Sequence, residues 1–392
     1  MSFNYKILGD IATYINGYAF RPEQWVTEGR PIIRIQNLNN ENAEYNYFSG
    51  EIDDKYIVTN GDILISWSAS IGVYEWENNE AVLNQHIFKV KFDKEYIDRR
   101  YFKHIVGIAL IKAVQYMHGS TMKHITKKYF DDIQIPVPSV DIQEKIANIL
   151  DQAQELINKR KKQIQELDEL VKSRFIEMFG DPINNPKEWE VKKLKNISTK
   201  ILSGNTPKGG SEVYVDEGIM FFRSQNVWKN KLVLDDIAYI DKETHNKMLK
   251  SSLKNRDILM TKTGRINTEN SSLGRAAMFL GEDDSANING HVYLIRLQKG
   301  EIIEFVLFIL TTNEYRDYIR SVCVGGIDKR QINKEHLEEF PIIYPPIELQ
   351  NQFATFVNQV NKLKFEAQNS LTELENNFNS LMQRAFSGKL FN

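Results

Sequence analysis

Two short polar segments carry side chains that suit contacts with the edges of DNA bases. Residues 34–37 read Arg-Ile-Gln-Asn, and residues 223–226 read Arg-Ser-Gln-Asn. Arginine can donate two hydrogen bonds to guanine, and glutamine or asparagine can pair twice with adenine. The alternative is that these amides satisfy backbone groups at a strand end. The first candidate contacts are therefore Arg34, Gln36, Asn37, Arg223, Gln225 and Asn226.

Two further pairs of segments carry hydroxyl and basic side chains at matching places. Residues 66–70 and 261–265 each follow an apolar run that predicts a strand. Hydroxyl and basic groups there suit phosphate or base contact, and an ordinary turn is the alternative. Residues 119–124 and 325–330 begin with glycine and end with basic residues, which makes them the strongest contact candidates. The residues singled out are Ser66, Ser68, Ser120, Thr121, Lys123, His124, Lys262, Thr263, Arg265, Lys329 and Arg330.

The familiar catalytic motifs are absent from the sequence. Residues 203–210 are rich in glycine but lack the Gly-Lys-Ser/Thr ending of a nucleotide-binding loop. Asn185-Pro186-Lys187 is not the Asn-Pro-Pro-Tyr type of motif expected at a DNA methylation site. The single cysteine, Cys323, excludes an internal disulfide and a cysteine-rich zinc site, and is expected to be a small buried apolar residue. We expect no catalysis and no bound cofactor or metal in this chain.

An internal repeat organises the polar segments. Residues 135–143 return as residues 342–350, and the strand-like run 61–66 returns as 256–261. The openings of the two copies also match, at residues 8–13 and 194–199. Because these matches occur in the same order, they indicate a duplicated unit. In each copy, short β-branched runs such as 63–66, 86–92 and 292–297 are followed by a helical pattern, at 101–116 and 304–321.

Each globular part is followed by a long amphipathic helix. Apolar residues recur at steps of three, four or seven from Ile142 to Met178 and again from Leu349, through Leu363, to Ala385, the pattern of a coiled-coil seam. Asp141 with Glu144 resembles a capping box, and Pro346 suits a first helical position. Gly180 and Gly388 mark the helix ends. At 1.5 Å per residue, the first helix would extend roughly 58 Å.

The order of these parts predicts an α+β protein with four segments. They are a first mixed α/β domain (1–138), a first spacer helix (139–181), a second domain (182–345) and a second spacer helix (346–392). The second helix follows the second domain, so it can pair with the first helix only by running back. We therefore predict two similar domains separated by two antiparallel coiled-coil helices, with pseudo-two-fold internal symmetry and both chain ends at the first domain. Two independent helices are the alternative.

Composition fits an ordinary globular protein. The chain has 392 residues, 42% of them hydrophobic and 26% charged, with a formal net charge of −2. A protein of this charge that binds DNA has to cluster its cations or share the phosphate contacts with partners. The basic run 159–162 is interpreted as a solvated helix face, or otherwise as a contact to DNA or a partner. No secretory signal or membrane-spanning run is evident, so we expect a cytoplasmic protein.

The whole pattern resembles the specificity subunits of type I restriction–modification systems. The resemblance rests on the hinge Ile135-Pro136-Val137-Pro138, on the strand Gly61-Asp62-Ile63-Leu64, and on the loop 119–125. The helix endings, residues 173–182 and 384–390, carry it as well. Arg256 stands where the first copy has Gly61, a small departure.

This resemblance implies a function without catalysis in the chain itself. Each domain would be a target recognition domain that reads one half of a bipartite double-stranded DNA sequence. The helices would set the gap between the halves and dock two methyltransferase subunits, which bind S-adenosylmethionine. Restriction subunits that translocate DNA with ATP and Mg²⁺ would join them. The alternatives are a specificity subunit of a type IIB-like system and a coiled-coil scaffold that binds proteins rather than DNA.

Overall fold

The computed structural model describes residues 3–40, 43–116, 125–266, 268, 270–326 and 329–391. The chain divides into two compact units. Unit 1 consists of residues 1–163 with 367–392, and unit 2 of residues 164–366. The divisions fall inside the two long helices, so each unit contains part of both.

Unit 1 contains two four-stranded sheets. The first has the strand order Thr13–Asn16, Ile87–Lys91, Ile63–Ser66, Gly72–Glu75. The second has the order Asn46–Phe48, Arg30–Ile33, Ala81–Leu83, Ile57–Val58, and its two central strands run parallel. A smaller sheet pairs Tyr5–Ile7 with Gln134–Pro136. The shorter helices are Leu8–Ile11, Ile35–Asn39, Arg99–Tyr116 and Lys127–Asp131.

Unit 2 repeats this plan with additions. Its first sheet has the order Ser198–Ser203, Val292–Leu297, Ile258–Thr261, Ala276–Met278. Its second has the order Tyr214–Val215, Ala238–Ile240, Ile219–Phe222, Ala286–Ile288, again with a parallel pair. Val191–Lys193 pairs with Pro341–Ile343, as the small sheet does in unit 1. The additions are the hairpin Val227–Trp228 with Lys231–Leu232, and a three-stranded sheet of Thr263–Gly264, Arg330–Gln331 and Val324–Gly325.

The short helices of unit 2 include one departure from the sequence prediction. They are Lys242–Lys247, Ile303–Thr311, Asn313–Val322 and Lys334–Glu338. The single helix predicted over 304–321 is therefore two helices. Thr312 between them is extended, with φ −67° and ψ 158°, and its hydroxyl accepts a hydrogen bond from the Tyr315 N–H at 3.2 Å. A threonine in this role caps the second helix and ends the first.

The two long helices are Val140–Phe179 and Ile347–Phe386, called here the first and second spacer helices. The first begins one residue before the predicted capping residue Asp141, and the Ser139 carbonyl accepts the N–H groups of Ile142 and Gln143. The second begins just after Pro346, whose carbonyl accepts the first helical hydrogen bonds. Gly180 and Gly388 follow the ends with φ of +77° and +72°, a left-handed conformation that glycine adopts without strain.

A buried glutamine closes the start of each spacer helix. Gln143 donates to the Pro138 carbonyl at 2.8 Å and accepts the Asp98 N–H at 2.9 Å. Gln350 donates in the same way to the Pro345 carbonyl at 2.8 Å. The hinge and the helix start are therefore joined by the same contact in both copies.

The spacer helices pair antiparallel in each unit. In unit 1, Ile146 and Leu150 share a core with Ala385, and Lys161 bonds Glu375 at 2.9 Å. In unit 2, Phe175 packs against Phe353, with ring centroids 5.3 Å apart. Lys364 is paired there with Asp168. The predicted seam is not buried throughout, because Leu363, predicted to lie in it, is 54% exposed.

Two further predictions concern the place where the chain ends meet and the surroundings of the basic run 159–162. The Tyr5 hydroxyl donates to the Phe386 carbonyl at 3.2 Å, so the N-terminal strand meets the end of the second spacer helix in unit 1, as predicted. In the basic run, Lys159 pairs with Glu155 at 2.6 Å and Arg160 with Gln163 at 2.9 Å, both within the helix. These local pairs are typical of a solvated helix face.

Candidate nucleic-acid interface

The two Arg-x-Gln-Asn segments form the same turn in both units. Asn37 is 7% exposed and Asn226 is 1% exposed. The Asn37 amide accepts the Arg34 N–H at 3.1 Å and donates to the carbonyls of Ala43 and Glu44 at 3.2 and 3.1 Å. This geometry favours the alternative, in which the asparagine side chains satisfy buried backbone groups. Asn37 and Asn226 are therefore not included among the candidate DNA contacts.

Asn226 repeats these contacts in unit 2. Its amide accepts the Arg223 N–H at 2.9 Å and donates to the carbonyls of Val233 and Asp236 at 3.0 and 3.1 Å. Each asparagine thus ties the start of its turn to a distant loop. A base could reach either amide only after the turn had opened.

The arginine and glutamine of each turn have different surroundings. Gln36 is exposed, with one long hydrogen bond of 3.5 Å to the Glu44 carbonyl, and Arg34 lies over the Trp25 ring at 5.4 Å. In unit 2, Gln225 donates to the Asp236 carboxylate at 2.7 Å, and Arg223 approaches the same carboxylate at 3.1 Å. The hydrogen bond from Gln225, and after it the contacts with Arg223, lower the pKa of Asp236. Both side chains are therefore held by Asp236, which would have to be displaced before either could contact a ligand.

The hydroxyls at the two equivalent strand ends are buried and hold hairpins closed. Ser66 and Thr261 are both 0% exposed. Ser66 donates to the Ser70 carbonyl, and Thr261 donates to the Ser272 carbonyl and accepts the Arg275 N–H at 2.9 Å. A DNA contact predicted for Ser66 does not fit these surroundings. Ser68, in the hairpin loop itself, is half-buried.

In unit 2 the structure brings the two predicted basic loops together. Thr263 and Gly264 pair with Gln331 and Arg330 in the three-stranded sheet, and the Ile332 N–H donates to the Lys262 carbonyl at 2.9 Å. The contact candidates on these loops are thereby placed side by side, although they are far apart in sequence.

The basic side chains of this region differ in accessibility. Arg265 and Lys329 are exposed. The Lys262 ammonium lies 5.6 Å from the centroid of the Tyr293 ring. The Arg330 guanidinium turns inward, donating to the Cys323 carbonyl at 3.3 Å, and its buried Nε has no partner among the described residues. Arg330 is therefore partly structural, whereas Arg265 and Lys329 are available to a ligand.

Unit 1 shows the same arrangement as far as it is described. The Ile125 N–H donates to the Trp67 carbonyl at 3.0 Å, the counterpart of the bond from Ile332 to Lys262. Trp67 stacks on Phe88 with centroids 5.9 Å apart. The candidates Ser120, Thr121, Lys123 and His124 lie outside the described residues, immediately before Ile125.

Sequence reasoning missed a cationic cluster in unit 2 built on Trp228, Lys229 and Arg275. The Arg275 guanidinium lies over the Trp228 ring, 3.9 Å from the centroid. Trp228 and Arg275 each lie beside a segment already identified from the sequence. Trp228 comes just after the Asn226 turn, and Arg275 ends the loop that begins at Lys262. The repeat gave no signal for them, because the equivalent residues are Asn39 and Gly72.

The prediction for the single cysteine is confirmed. Cys323 is buried, as predicted, and its thiol donates to the Arg320 carbonyl at 3.2 Å. Across the described ranges, no cluster of three or more His, Cys, Asp or Glu side chains is placed to hold a metal ion. None of the helices in the described part of the chain is long and apolar enough to cross a membrane.

Comparison with known proteins gives a consistent result. The sequence matches the family described as "Type I restriction modification DNA specificity domain" twice, over residues 2–168 and 186–376. It is 22% identical to the specificity subunit of the type I restriction enzyme EcoBI of Escherichia coli, over 98% of this chain and 85% of that protein. It is 23% identical to the MjaVIII specificity subunit of Methanocaldococcus jannaschii, over 98% and 92% of the two chains.

A solved structure has the same fold. The S subunit of a type I restriction–modification system from M. genitalium matches with a TM-score of 0.55 and 15% identity, over 98% of this chain and 96% of that one. This agrees with the predicted pair of repeated α/β domains and long helices. With the specificity domain present in two copies that cover most of its length, this chain belongs to the family of type I restriction–modification specificity subunits.

Proposed function

We propose that this chain reads the DNA sequence for a type I restriction–modification complex, each unit recognising one half of a bipartite target. The observation that carries the proposal is the paired-loop arrangement found in both units. In each, the residue after a buried strand accepts a backbone hydrogen bond from the isoleucine that follows the second, basic segment, from Ile125 to Trp67 or from Ile332 to Lys262. Such a rigid base presents side chains of two loops to one ligand.

The proposed contacts follow from accessibility. In unit 2 they are Lys262, Thr263, Arg265 and Lys329, with Arg223 and Gln225 once Asp236 has been displaced. In unit 1 they are Arg34, Gln36 and Ser68; Ser120, Thr121, Lys123 and His124, which lie outside the described residues, are included on the sequence pattern alone. Lysine contacts mainly phosphates, whereas the arginines and glutamines suit base edges.

The partners and cofactors are also part of the proposal. Two methyltransferase subunits would bind the spacer helices and use S-adenosylmethionine to methylate adenines, and restriction subunits would use ATP and Mg²⁺. This chain would supply no catalysis of its own. The near-zero net charge of −2 supports shared phosphate contacts, because partner subunits would add positive charge around the DNA.

The family match favours this function over the alternatives. Relatives matched along nearly the whole chain are type I specificity subunits, which favours a type I system over a type IIB-like one. It also favours DNA reading over a protein-binding scaffold.

The decisive experiment is methylation mapping. The chain is co-expressed with its methyltransferase subunits in a host that lacks adenine methylation, and methylated adenines are mapped across the genome. We expect one bipartite sequence, lost when this chain is omitted, and no methylation or ATP hydrolysis by the purified chain alone. Methylation that is unchanged without this chain, or catalysis by the chain alone, would overturn the proposal.

A further inference from the structure

The cationic cluster of unit 2 lines a surface pocket of about 740 Å³. The pocket is bordered by the hairpin of Trp228, Lys229 and Lys231, by the loop residues Asn270, Ser271 and Arg275, and by Asn313 and Arg316 of a helix. Four of these side chains are cations, and none of the described lining residues is acidic. Three separate segments of the chain therefore converge on one positively charged site.

Two of the cations are held in place by neutral oxygens. Lys229 donates to the side-chain oxygen of Asn313 at 3.2 Å. Arg275 donates through Nε to the Ser271 carbonyl at 3.0 Å and through a terminal nitrogen to the Asn270 carbonyl, and its guanidinium lies over the Trp228 ring. These contacts orient the cations without neutralising their charge.

The cations also repel one another in partly desolvated surroundings. The pKa of Lys229 is lowered first by burial and then by its cationic neighbours Arg316, Arg320, Arg275 and Lys172. The pKa of Arg275 is lowered by burial and then by Arg316. An anion in the pocket would relieve this repulsion and stabilise the charged forms.

The surrounding segments indicate which anion fits. The pocket lies between the Arg223–Asn226 turn and the loop that begins at Lys262. Trp228 donates through its indole N–H to the Gln225 carbonyl at 3.2 Å. On the other side, Ser272 donates to the Thr263 carbonyl at 2.7 Å, which fixes the loop against the three-stranded sheet. Both neighbouring segments carry proposed DNA contacts. A phosphate of the DNA backbone is therefore the anion that would lie nearest the pocket.

Resting on the proposed function, we propose that the Trp228–Lys229–Arg275 pocket binds one backbone phosphate of the half-sequence read by unit 2. The described residues of unit 1 form no equivalent cluster, because Asn39 takes the place of Trp228 and Gly72 that of Arg275. A Cβ on Gly72 would meet the Tyr74 hydroxyl at 2.7 Å, so unit 1 has no room for a longer side chain there unless Tyr74 moves. The Tyr74 hydroxyl donates a hydrogen bond to the side-chain oxygen of Asn39 at 2.8 Å. Unit 2 would therefore make a phosphate contact with the DNA backbone that unit 1 lacks.

The test is the salt dependence of binding by the full chain to a random-sequence duplex of about 30 base pairs, since each phosphate contact contributes about 0.9 to the log–log slope. The double variant Lys229→Gln/Arg275→Gln should flatten the slope by about 0.9, the contribution of one phosphate contact, because both cations serve the same phosphate. Lys229→Gln alone should flatten the slope by no more than this. Arg275→Lys keeps the charge and should keep the slope, and Lys242→Gln, an exposed lysine elsewhere in unit 2, is the matched control.

Each outcome decides a separate question. Thermal melting verifies that the variants are folded, and Lys229→Gln leaves the loop contacts of Arg275 intact. An unchanged slope in a folded Lys229→Gln/Arg275→Gln double variant overturns the phosphate site and leaves DNA reading untouched, whereas a parent chain that binds no duplex overturns both. Weaker binding of methyltransferase subunits with an unchanged DNA slope would assign the pocket to a protein partner. Stabilisation by millimolar ATP that Lys229→Gln abolishes, again with an unchanged DNA slope, would assign it to a soluble nucleotide.

Discussion

The backbone N–H of Ile332 donates a hydrogen bond to the carbonyl oxygen of Lys262 at 2.9 Å. This bond joins the two basic loops of unit 2 through main-chain atoms alone. Their side chains can therefore be exchanged without loss of the bond that holds them together. Ile125 and Trp67 form the same bond in unit 1.

The first prediction separates two adjacent basic residues. Lys329→Ala should flatten the salt dependence of DNA binding by about 0.9 in log–log slope with little change in stability, because its side chain is exposed. Arg330→Ala should instead lower the free energy of unfolding, by about 1 kcal/mol, because its guanidinium donates a hydrogen bond to the Cys323 carbonyl. Filter binding and urea unfolding measure both, with Lys299→Ala as the exposed control. Equal losses of stability in the two variants would contradict the assignment.

The second prediction compares two amides of one turn. Asn226→Ala removes three hydrogen bonds from a buried site and should lower the free energy of unfolding by about 2–3 kcal/mol. Gln225→Ala lies beside it on the surface and should change stability by less than about 0.5 kcal/mol. Urea unfolding of both variants provides the comparison. A stable Asn226→Ala variant with altered methylation specificity would show instead that the asparagine reads DNA.

The third prediction concerns the spacer helices. Inserting four residues after Gln165 lengthens the first helix by about 6 Å, and a matching insertion near Leu371 should be needed to restore the antiparallel seam. Since 6 Å is roughly two base pairs of DNA, we expect the doubly extended variant to methylate the same half-sequences with a gap longer by one or two base pairs. Methylation mapping reads out the gap. Full activity at the original gap would mean that these helices do not set it.

The fourth prediction concerns pH. His104 is hydrogen-bonded to Asp151 of the first spacer helix at 2.7 Å. Burial lowers the pKa of His104 below 6.5 and outweighs the opposing effect of Asp151, while Lys103 and Arg100 lower it further. The unfolded chain then binds the proton more readily, so the stability contributed by neutral His104 is complete above about pH 6.5 and is lost as the pH falls towards the folded-state pKa.

The measurement is urea unfolding between pH 7.5 and 5.5. We expect the parent to lose more stability over this range than His104→Gln, which retains a hydrogen-bond donor but does not titrate. Identical pH dependence in the two proteins would rule out this role for His104.

The spacer helices could be predicted because their signal is repetitive. Apolar residues at regular steps, with glycine after each end, leave few alternatives for Val140–Phe179 and Ile347–Phe386. The break at Thr312 escaped prediction because the apolar pattern resumes at Tyr315 and Ile319. The polar run of residues 311–314, typical of a helix start, was the available signal, and the Thr312 hydroxyl accepts the capping hydrogen bond from Tyr315.

The contact residues were harder to predict than the fold. Sequence pattern identified Arg-x-Gln-Asn in both copies but could not tell which amide faces inward, because that depends on carbonyls supplied by residues 43–44 and 233–236. The pairing of Trp228 with Arg275 was out of reach, since no repeat or motif links these two residues. It arises only when the hairpin packs beside the strand Ala276–Met278, where the Asn230 N–H bonds the Ala276 carbonyl at 2.8 Å.

The two hydroxyl-closed hairpins have a consequence for how new specificities arise. Residues 67–71 connect the strands in unit 1, and residues 262–275 connect them in unit 2, yet Ser66 and Thr261 anchor both at the same position. Since the anchor lies in the buried strand, insertions and deletions away from the residues that pack on the core, such as Trp67 in unit 1 and Leu273 in unit 2, leave the strand pairing unchanged. Evolution can therefore lengthen, shorten or replace this loop independently in each half of the chain, and a laboratory can do the same by transplanting loops between the two copies.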